Sequence, residues 1–98
     1  MALALVTSLK ICSFNMYGFN NGVNTLSSLL LDYDIVFVQE HWLLPDDLYK
    51  LSNINCNFIS FGISAMSNRI EKDILTGRPF GGTAILVNHA LLKHVKFI

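Results

Sequence analysis

The chain has 98 residues, 52% of them hydrophobic and 14% charged, and its formal net charge is zero. This composition excludes a disordered segment, and the length leaves room for a single domain. No apolar run reaches the roughly 18–20 residues of a membrane-spanning helix, and the apolar start at residues 1–6 is too short for a signal peptide. We therefore expect an intracellular protein, nuclear or cytoplasmic, without membrane association.

The chain opens with alternating strand and helix patterns. Residues 9–15 form a short apolar run that predicts a strand ending at Asn15. Residues 18–22 hold two glycines and two asparagines, which tolerate left-handed backbone and predict a turn. Apolar residues then recur at three- and four-residue steps over residues 23–33, which predicts an amphipathic helix.

A second strand is predicted over residues 35–40, where an apolar run ends at Glu40. Its nearly continuous apolar character predicts burial on both faces. A carboxylate at such a strand end is either solvated or held for chemistry, because charged side chains are rarely buried without a partner.

The rest of the chain predicts one more helix, three more strands and a long loop. These are a helix start at 44–47, a strand at 57–62, an exposed loop at 64–79, a strand at 81–88 and a fifth strand beginning at 95. Leu48 and Leu51 should face inward from the helix. No turn or partner follows the fifth strand, so we expect a partial domain, an α/β sandwich with helices outside a mixed sheet.

Asn15 and Glu40 are the candidate site residues. If the first two strands are adjacent and parallel, both side chains lie at one edge of the sheet and could converge on one ion. Magnesium prefers oxygen ligands and is commonly held by one or two carboxylates plus waters and substrate phosphate. The histidines and cysteines lack zinc-finger spacing, and neither a phosphate-binding glycine loop nor a serine nucleophile elbow occurs.

Charge and cysteine placement carry weaker signals. Residues 1–64 hold two basic and five acidic groups, whereas residues 65–98 hold five basic and two acidic groups. A basic region suits a phosphate-rich ligand, although a solvated surface is the favoured interpretation of so few charges. Cys12 and Cys56 lie in apolar runs, which predicts buried thiols in a reducing compartment.

Three motifs carry a resemblance to a known family. They are residues 10–18 (Lys-Ile-Cys-Ser-Phe-Asn-Met-Tyr-Gly), residues 34–43 (Asp-Ile-Val-Phe-Val-Gln-Glu-His-Trp-Leu) and residues 77–87, which begin Gly-Arg-Pro-Phe-Gly-Gly. In this order and spacing they resemble the endonuclease/exonuclease/phosphatase superfamily. The Gln-Glu-His-Trp-Leu and Gly-Arg-Pro-x-Gly-Gly forms are most similar to endonuclease domains of non-LTR (LINE-type) retrotransposons.

The resemblance implies a four-layer, DNase I-like α/β sandwich that hydrolyses phosphodiester bonds with Mg²⁺, or alternatively Mn²⁺. It implies that Glu40 is a metal ligand and that Asn15 lies beside the metal and the scissile phosphate, both with catalytic roles. Many relatives carry aspartate where this chain has Tyr17, so a ligand from that position is missing. DNA is the implied substrate of the complete protein, and a fused reverse transcriptase is a possible partner.

The resemblance covers residues 9–98 and only the amino-terminal half of such a domain. The family's later tyrosine, Asp-x-Asn and Asp-His motifs have no counterpart here, and His89 and His94 lie too near the Gly-Gly strand to match the terminal histidine. We therefore expect little or no nuclease activity from the chain alone. Half a sandwich should also leave one sheet face exposed.

Several alternatives stay open at this level. The chain could be a truncated, non-catalytic retroelement remnant or a small α/β interaction module. It could also derive from superfamily members that cleave phosphate esters of inositol lipids, sphingomyelin or messenger tails. Trp42 is interpreted first as a packing residue and second as a base-stacking platform, and His41 as a loop histidine that orients its neighbours. The Gly81-Gly82 pair fits close strand-to-strand packing or close approach of a nucleic acid backbone equally well.

Overall fold

A computed structural model describes residues 8–66, 70–71, 74–75 and 80–94. Strand β1 (Ile11–Asn15), helix α1 (Phe19–Asp32) and strand β2 (Ile35–Gln39) form a β-α-β unit. The two strands are parallel neighbours, and their register places Asn15 opposite Gln39. The predicted adjacency of the first two strands is therefore confirmed.

The remaining described part of the chain adds five strands and helices and two 3-10 helices. They are α2 (Tyr49–Ser52), β3 (Phe58–Ile63), β4 (Ile70–Glu71), β5 (Ile74–Leu75) and β6 (Thr83–Asn88), with 3-10 helices at Pro45–Asp47 and His89–His94. The four-stranded sheet has the order β1-β2-β6-β3, and β6 is antiparallel to both of its neighbours. Strands β4 and β5 form a separate antiparallel pair.

One face of the sheet carries the core. Leu26 and Leu30 of α1 are buried in one cluster with Val36, Val38 and Leu86 of the sheet. Leu51 of α2 is buried in the same cluster and Leu48 packs against it, as the sequence predicted. Each fully buried Leu or Val side chain stabilises the fold by about 1.5–3 kcal/mol, so this cluster is the principal apolar contribution of the described residues.

The opposite face of the sheet is open, which corrects the prediction that strand 35–40 is buried on both faces. Phe37 at the centre of β2 is 43% exposed, whereas its neighbours Val36 and Val38 are buried. Phe61 and Ile63 of β3 are 44% and 71% exposed. Side chains alternate between the two faces of a strand, so an uncovered face exposes every second apolar residue. The predicted open face is thus present in this chain.

Helix α1 begins at Phe19, four residues before the predicted start at Val23. Gly18 takes a φ of 91° at the N-cap, so the chain enters the helix one residue after the strand-end loop. Gly22 lies within the helix and not in a turn, and it packs against the backbone of Met16, where a Cβ would lie 2.8 Å from the carbonyl oxygen. The predicted turn was therefore wrong over residues 19–22.

Smaller differences occur further along the chain. The predicted helix at 44–47 is a 3-10 turn over Pro45–Asp47 followed by the short α2. Strands β4 and β5 lie within the segment predicted as an irregular loop. Cys56 is exposed, which corrects its assignment as a buried thiol, and Cys12 is half-buried. The predicted strand at 95–98 lies outside the described residues.

Candidate functional site

The backbone changes direction sharply where β1 and β2 end. Asn15 is the last residue of β1, and Glu40 follows the last residue of β2. Within the described ranges, the non-glycine residues with positive φ are Tyr17 (51°), Glu40 (57°) and Trp42 (59°). Such left-handed backbone is unfavourable for these residue types and is typical of functional sites, where surrounding contacts maintain it.

Backbone hydrogen bonds tie the two strand ends together. The N–H of Met16 donates to the carbonyl of Gln39 at 2.9 Å, and the N–H of Gly18 donates to the carbonyl of Glu40 at 2.8 Å. The N–H of Phe19 then donates to the carbonyl of His41 at 2.8 Å. The loop after β1 and the loop after β2 therefore run side by side, which brings Asn15 and Glu40 to one edge of the sheet.

The Glu40 carboxylate is half-buried and has one hydrogen-bond donor among the described residues. Trp42 Nε1 donates to Glu40 Oε1 at 3.0 Å. The other oxygen, Oε2, faces Gly81, where an added Cβ would lie 3.9 Å from it. Within residues 8–66 and 80–92, no cationic side chain forms an ion pair with Glu40. This part of the protein therefore leaves a carboxylate charge without a cation beside it.

Asn15 is exposed at the same edge. Its side-chain Oδ1 accepts a hydrogen bond from the N–H of Tyr17 at 3.1 Å and keeps a second lone pair. Tyr17 itself is 67% exposed and points away from the core. The structure thus brings together both residues that the sequence predicted for the site.

His41 lies beneath this edge and is completely buried. Its Nδ1 accepts a hydrogen bond from the N–H of Leu43 at 2.9 Å, so the ring proton is on Nε2, which lies 3.0 Å from the carbonyl of Ile63. Burial lowers the pKa of His41, and its backbone hydrogen bonds and the Glu40 charge oppose this shift only in part. His41 is therefore a neutral residue that joins the end of β2 to the end of β3.

Two glycines allow the aromatic residues of this loop to pack closely. A Cβ on Gly18 would lie 2.5 Å from the ring carbon Cε3 of Trp42. A Cβ on Gly82 would lie 2.6 Å from both ring nitrogens of His41. Both glycines also have a φ of 91°, which other residues rarely adopt. The close contact at Gly82 is thus with the His41 side chain, and not the strand-to-strand packing that was one of the two interpretations of Gly81-Gly82.

Sequence reasoning missed the hydrogen bond from Trp42 to Glu40 and the approach of Gly81 to both residues. The N–H of Trp42 donates to the carbonyl of Gly81 at 2.9 Å, across 39 positions of the chain. The spacing of a tryptophan two residues after a candidate ligand is the one local signal that could have indicated the first contact. Nothing in the local sequence indicates the second, since it depends on how β6 pairs with β2.

The donor set of this edge fits a hard divalent cation. It offers a carboxylate oxygen from Glu40 and an amide oxygen from Asn15, which are the ligand types that Mg²⁺ prefers. No group of three or more histidine, cysteine or acidic side chains close enough to hold a metal occurs in the described part of the chain.

Comparisons with known proteins give two findings and one negative result. The sequence profile described as the Endonuclease/Exonuclease/phosphatase family matches residues 12–97. A solved structure of the 3′ phosphatase NExo from Neisseria, bound to a product DNA hairpin, is similar with a TM-score of 0.56 and 19% identity. That similarity covers 82% of this chain and 27% of the other, so this chain spans about a quarter of that protein. No curated protein matches the chain.

The structural likeness shows the fold. The mixed sheet and its flanking helices match part of a DNase I-like architecture, as the sequence predicted. Among the described residues, no helix has the length and apolar character needed to span a membrane.

Proposed function

The chain belongs to the Endonuclease/Exonuclease/phosphatase family, and from this membership we propose that it is the amino-terminal part of a Mg²⁺-dependent phosphodiesterase acting on DNA. One observation carries the proposal. Asn15 ends β1, Glu40 directly follows the adjacent parallel strand β2, and the Glu40 carboxylate has no cationic partner among the described residues. A partly buried carboxylate that has no cation beside it among the described residues is a suitable ligand for a divalent cation.

Each of the two residues has a distinct proposed role. Glu40 holds the divalent cation through its carboxylate, and Asn15 contributes its amide beside the metal and the scissile phosphate. When bound, a Mg²⁺ ion supplies polarisation of the phosphoryl oxygen and stabilisation of the leaving oxyanion. The buried His41 holds the loop on which Glu40 stands, through its contacts with Leu43 and Ile63.

DNA is the proposed substrate class, and a retrotransposon-type endonuclease is the proposed subtype. The similar Neisseria protein is a 3′ phosphatase bound to DNA. This supports DNA as the substrate over the phosphate esters of inositol lipids, sphingomyelin or messenger tails. The retrotransposon subtype rests on residues 39–43 and 77–82, whose sequences resemble those endonucleases. A fused reverse transcriptase is part of the same proposal for the complete protein.

Metal binding by this chain tests the proposal directly. Trp42 is the single tryptophan and lies 3.0 Å from the Glu40 carboxylate, so its fluorescence reports on this site alone. We expect paramagnetic Mn²⁺ to quench it in a saturable titration at millimolar concentrations, and excess Mg²⁺ to restore the signal. Mg²⁺ should also raise the melting temperature, because a ligand that binds only the folded state stabilises it.

Two variants complete this experiment. Glu40→Gln keeps an acceptor for the Trp42 indole but removes the charge, and it should weaken Mn²⁺ binding at least about tenfold. Asp46→Asn removes an exposed carboxylate from the Pro45–Asp47 turn and should bind Mn²⁺ as the unaltered chain does. Equal quenching in the Glu40→Gln variant, or none in the unaltered chain, would refute the metal site and favour a non-catalytic interaction module.

A further inference from the structure

Trp42 joins the candidate metal ligand to two other segments of the chain. Its indole Nε1 donates to Glu40 Oε1, and its backbone N–H donates to the carbonyl of Gly81. Its ring lies directly against Gly18, where no side chain could be accommodated. Trp42 is thus held from both sides, by the loop after β1 and by the residues before β6.

These contacts maintain an unusual backbone. Glu40 and Trp42 both have positive φ, with buried His41 between them. Two left-handed non-glycine residues within three positions persist only where surrounding contacts fix them. The hydrogen bond from Trp42 to Glu40 closes this short loop on itself, so the carboxylate orientation depends on the indole N–H.

The same hydrogen bond divides the two carboxylate oxygens. The indole N–H occupies one lone pair of Oε1, and no donor among the described residues bonds to Oε2, which faces Gly81. Resting on the function proposed above, we propose that Trp42 is a positioning residue: its indole N–H holds the Glu40 carboxylate with Oε2 presented to the divalent cation. Trp42 need not contact the cation or the DNA.

The test removes the indole N–H while keeping the ring. Trp42→Phe keeps an aromatic side chain, and replacement by 3-benzothienylalanine keeps the full bicyclic shape with sulfur in place of the N–H. Chemical ligation at Cys56 gives access to the second variant of the full 98-residue chain. Tyr49→Phe is the matched control, since it removes a donor from an exposed aromatic residue of α2.

Mn²⁺ affinity by calorimetry is the first measurement. Loss of a partner that orients a metal ligand typically costs about 10–100-fold in metal affinity, and we expect this loss in both Trp42 variants. Tyr49→Phe should bind as the unaltered chain does. Near-ultraviolet circular dichroism and urea unfolding establish whether each variant is folded. If the Trp42→Phe variant does not fold, the benzothienyl variant alone decides the result.

The indole resonance is the second measurement. The single tryptophan gives one indole N–H signal in the proton NMR spectrum. Mg²⁺ should shift this signal in proportion to the fraction of the chain that has bound the ion, whereas an indole with a purely structural role would show no such shift. If the unaltered chain binds Mn²⁺ and the benzothienyl variant binds it equally well, the positioning role is overturned and the proposed function stands. If the unaltered chain binds no Mn²⁺, or Glu40→Gln binds it equally, both proposals fail.

Discussion

Gly82 packs directly against the ring of His41, leaving no space for a side chain at position 82. The contact joins the residue that precedes β6 to the loop that carries Glu40. It explains why this part of the chain needs glycine at a positive φ and why a histidine can be completely buried there. The stability of this contact can be tested separately from any catalytic role.

Replacing Gly82 with alanine should strongly destabilise the fold. The variant combines an unfavourable φ of 91° with overlap between Cβ and the His41 ring, and we expect a loss of about 2–4 kcal/mol in the free energy of unfolding. Urea unfolding followed by circular dichroism measures the loss. Gly62→Ala is the matched control, because its Cβ would meet the flexible ends of Leu51 and Leu48 at 3.3 and 3.4 Å and the Cβ of Ala84 at an ordinary contact distance of 3.5 Å. Equal losses in the two variants would contradict the described packing.

Stability should fall as the pH decreases below about 6.5, the ordinary pKa of histidine. Burial lowers the pKa of His41 in the folded state, so the unfolded chain binds a proton that the folded chain resists. The stabilisation from neutral His41 is therefore complete above the unfolded pKa and declines as pH falls toward the folded pKa. A proton on Nδ1 would also face the N–H of Leu43.

Urea unfolding at pH 7.5 and pH 5.5 checks this prediction. The unaltered chain should be less stable at the lower pH, and His41→Asn should reduce the difference while keeping an acceptor for the Leu43 N–H. His89→Asn removes an exposed imidazole and should keep the difference. A pH dependence that survives His41→Asn and disappears in His89→Asn would refute the assignment.

Tyr17→Asp should increase the affinity for Mn²⁺ several-fold. The resemblance to the family places an aspartate at this position in many relatives, and a second carboxylate near Glu40 would strengthen binding of a hard cation. Tyr17 already has a φ of 51°, a region that aspartate and asparagine adopt more readily than tyrosine. Calorimetry measures the change. Tyr17→Asn matches the backbone preference without the charge, so a comparable gain in that variant would show that the carboxylate is not responsible.

The open face of the sheet should bind the hydrophobic dye ANS. A groove of about 510 Å³ on this face is lined by Phe37, Phe61, Ile63 and their neighbours. Ile63→Lys should lower ANS fluorescence and change stability by less than about 0.5 kcal/mol, because Ile63 is already 71% exposed. Leu31→Lys on α1 is the matched control, since Leu31 is 79% exposed and lies outside this face. An equal decrease in both variants would mean that the dye binds elsewhere.

Local sequence patterns were enough to predict the β-α-β unit at the start of the fold. The β-α-β opening, the parallel pairing of its strands and the placement of Asn15 and Glu40 at one edge follow from hydrophobic periodicity and from the geometry of parallel sheets. The start of α1 was predicted too late because the glycines and asparagines of residues 18–22 are typical of a turn. In the structure, Gly22 instead allows the helix to pack closely against Met16. Burial of strand β2 on both faces was also wrong, because an apolar strand does not determine whether a second layer covers it.

By itself, the sequence determined that Asn15 and Glu40 would lie at one edge of the sheet, because strand ends are local properties, and their role as metal ligands stays a prediction. Only the tertiary structure decided how that site is held. The left-handed backbone at Glu40 and Trp42 is held by contacts with distant parts of the chain. His41 contacts Ile63, Trp42 contacts Gly81 and Gly82 contacts His41, so each contact joins segments about 20–40 residues apart. Such contacts depend on how distant strands pair and how the whole core packs. They therefore leave no periodic pattern in the local sequence from which they could be predicted.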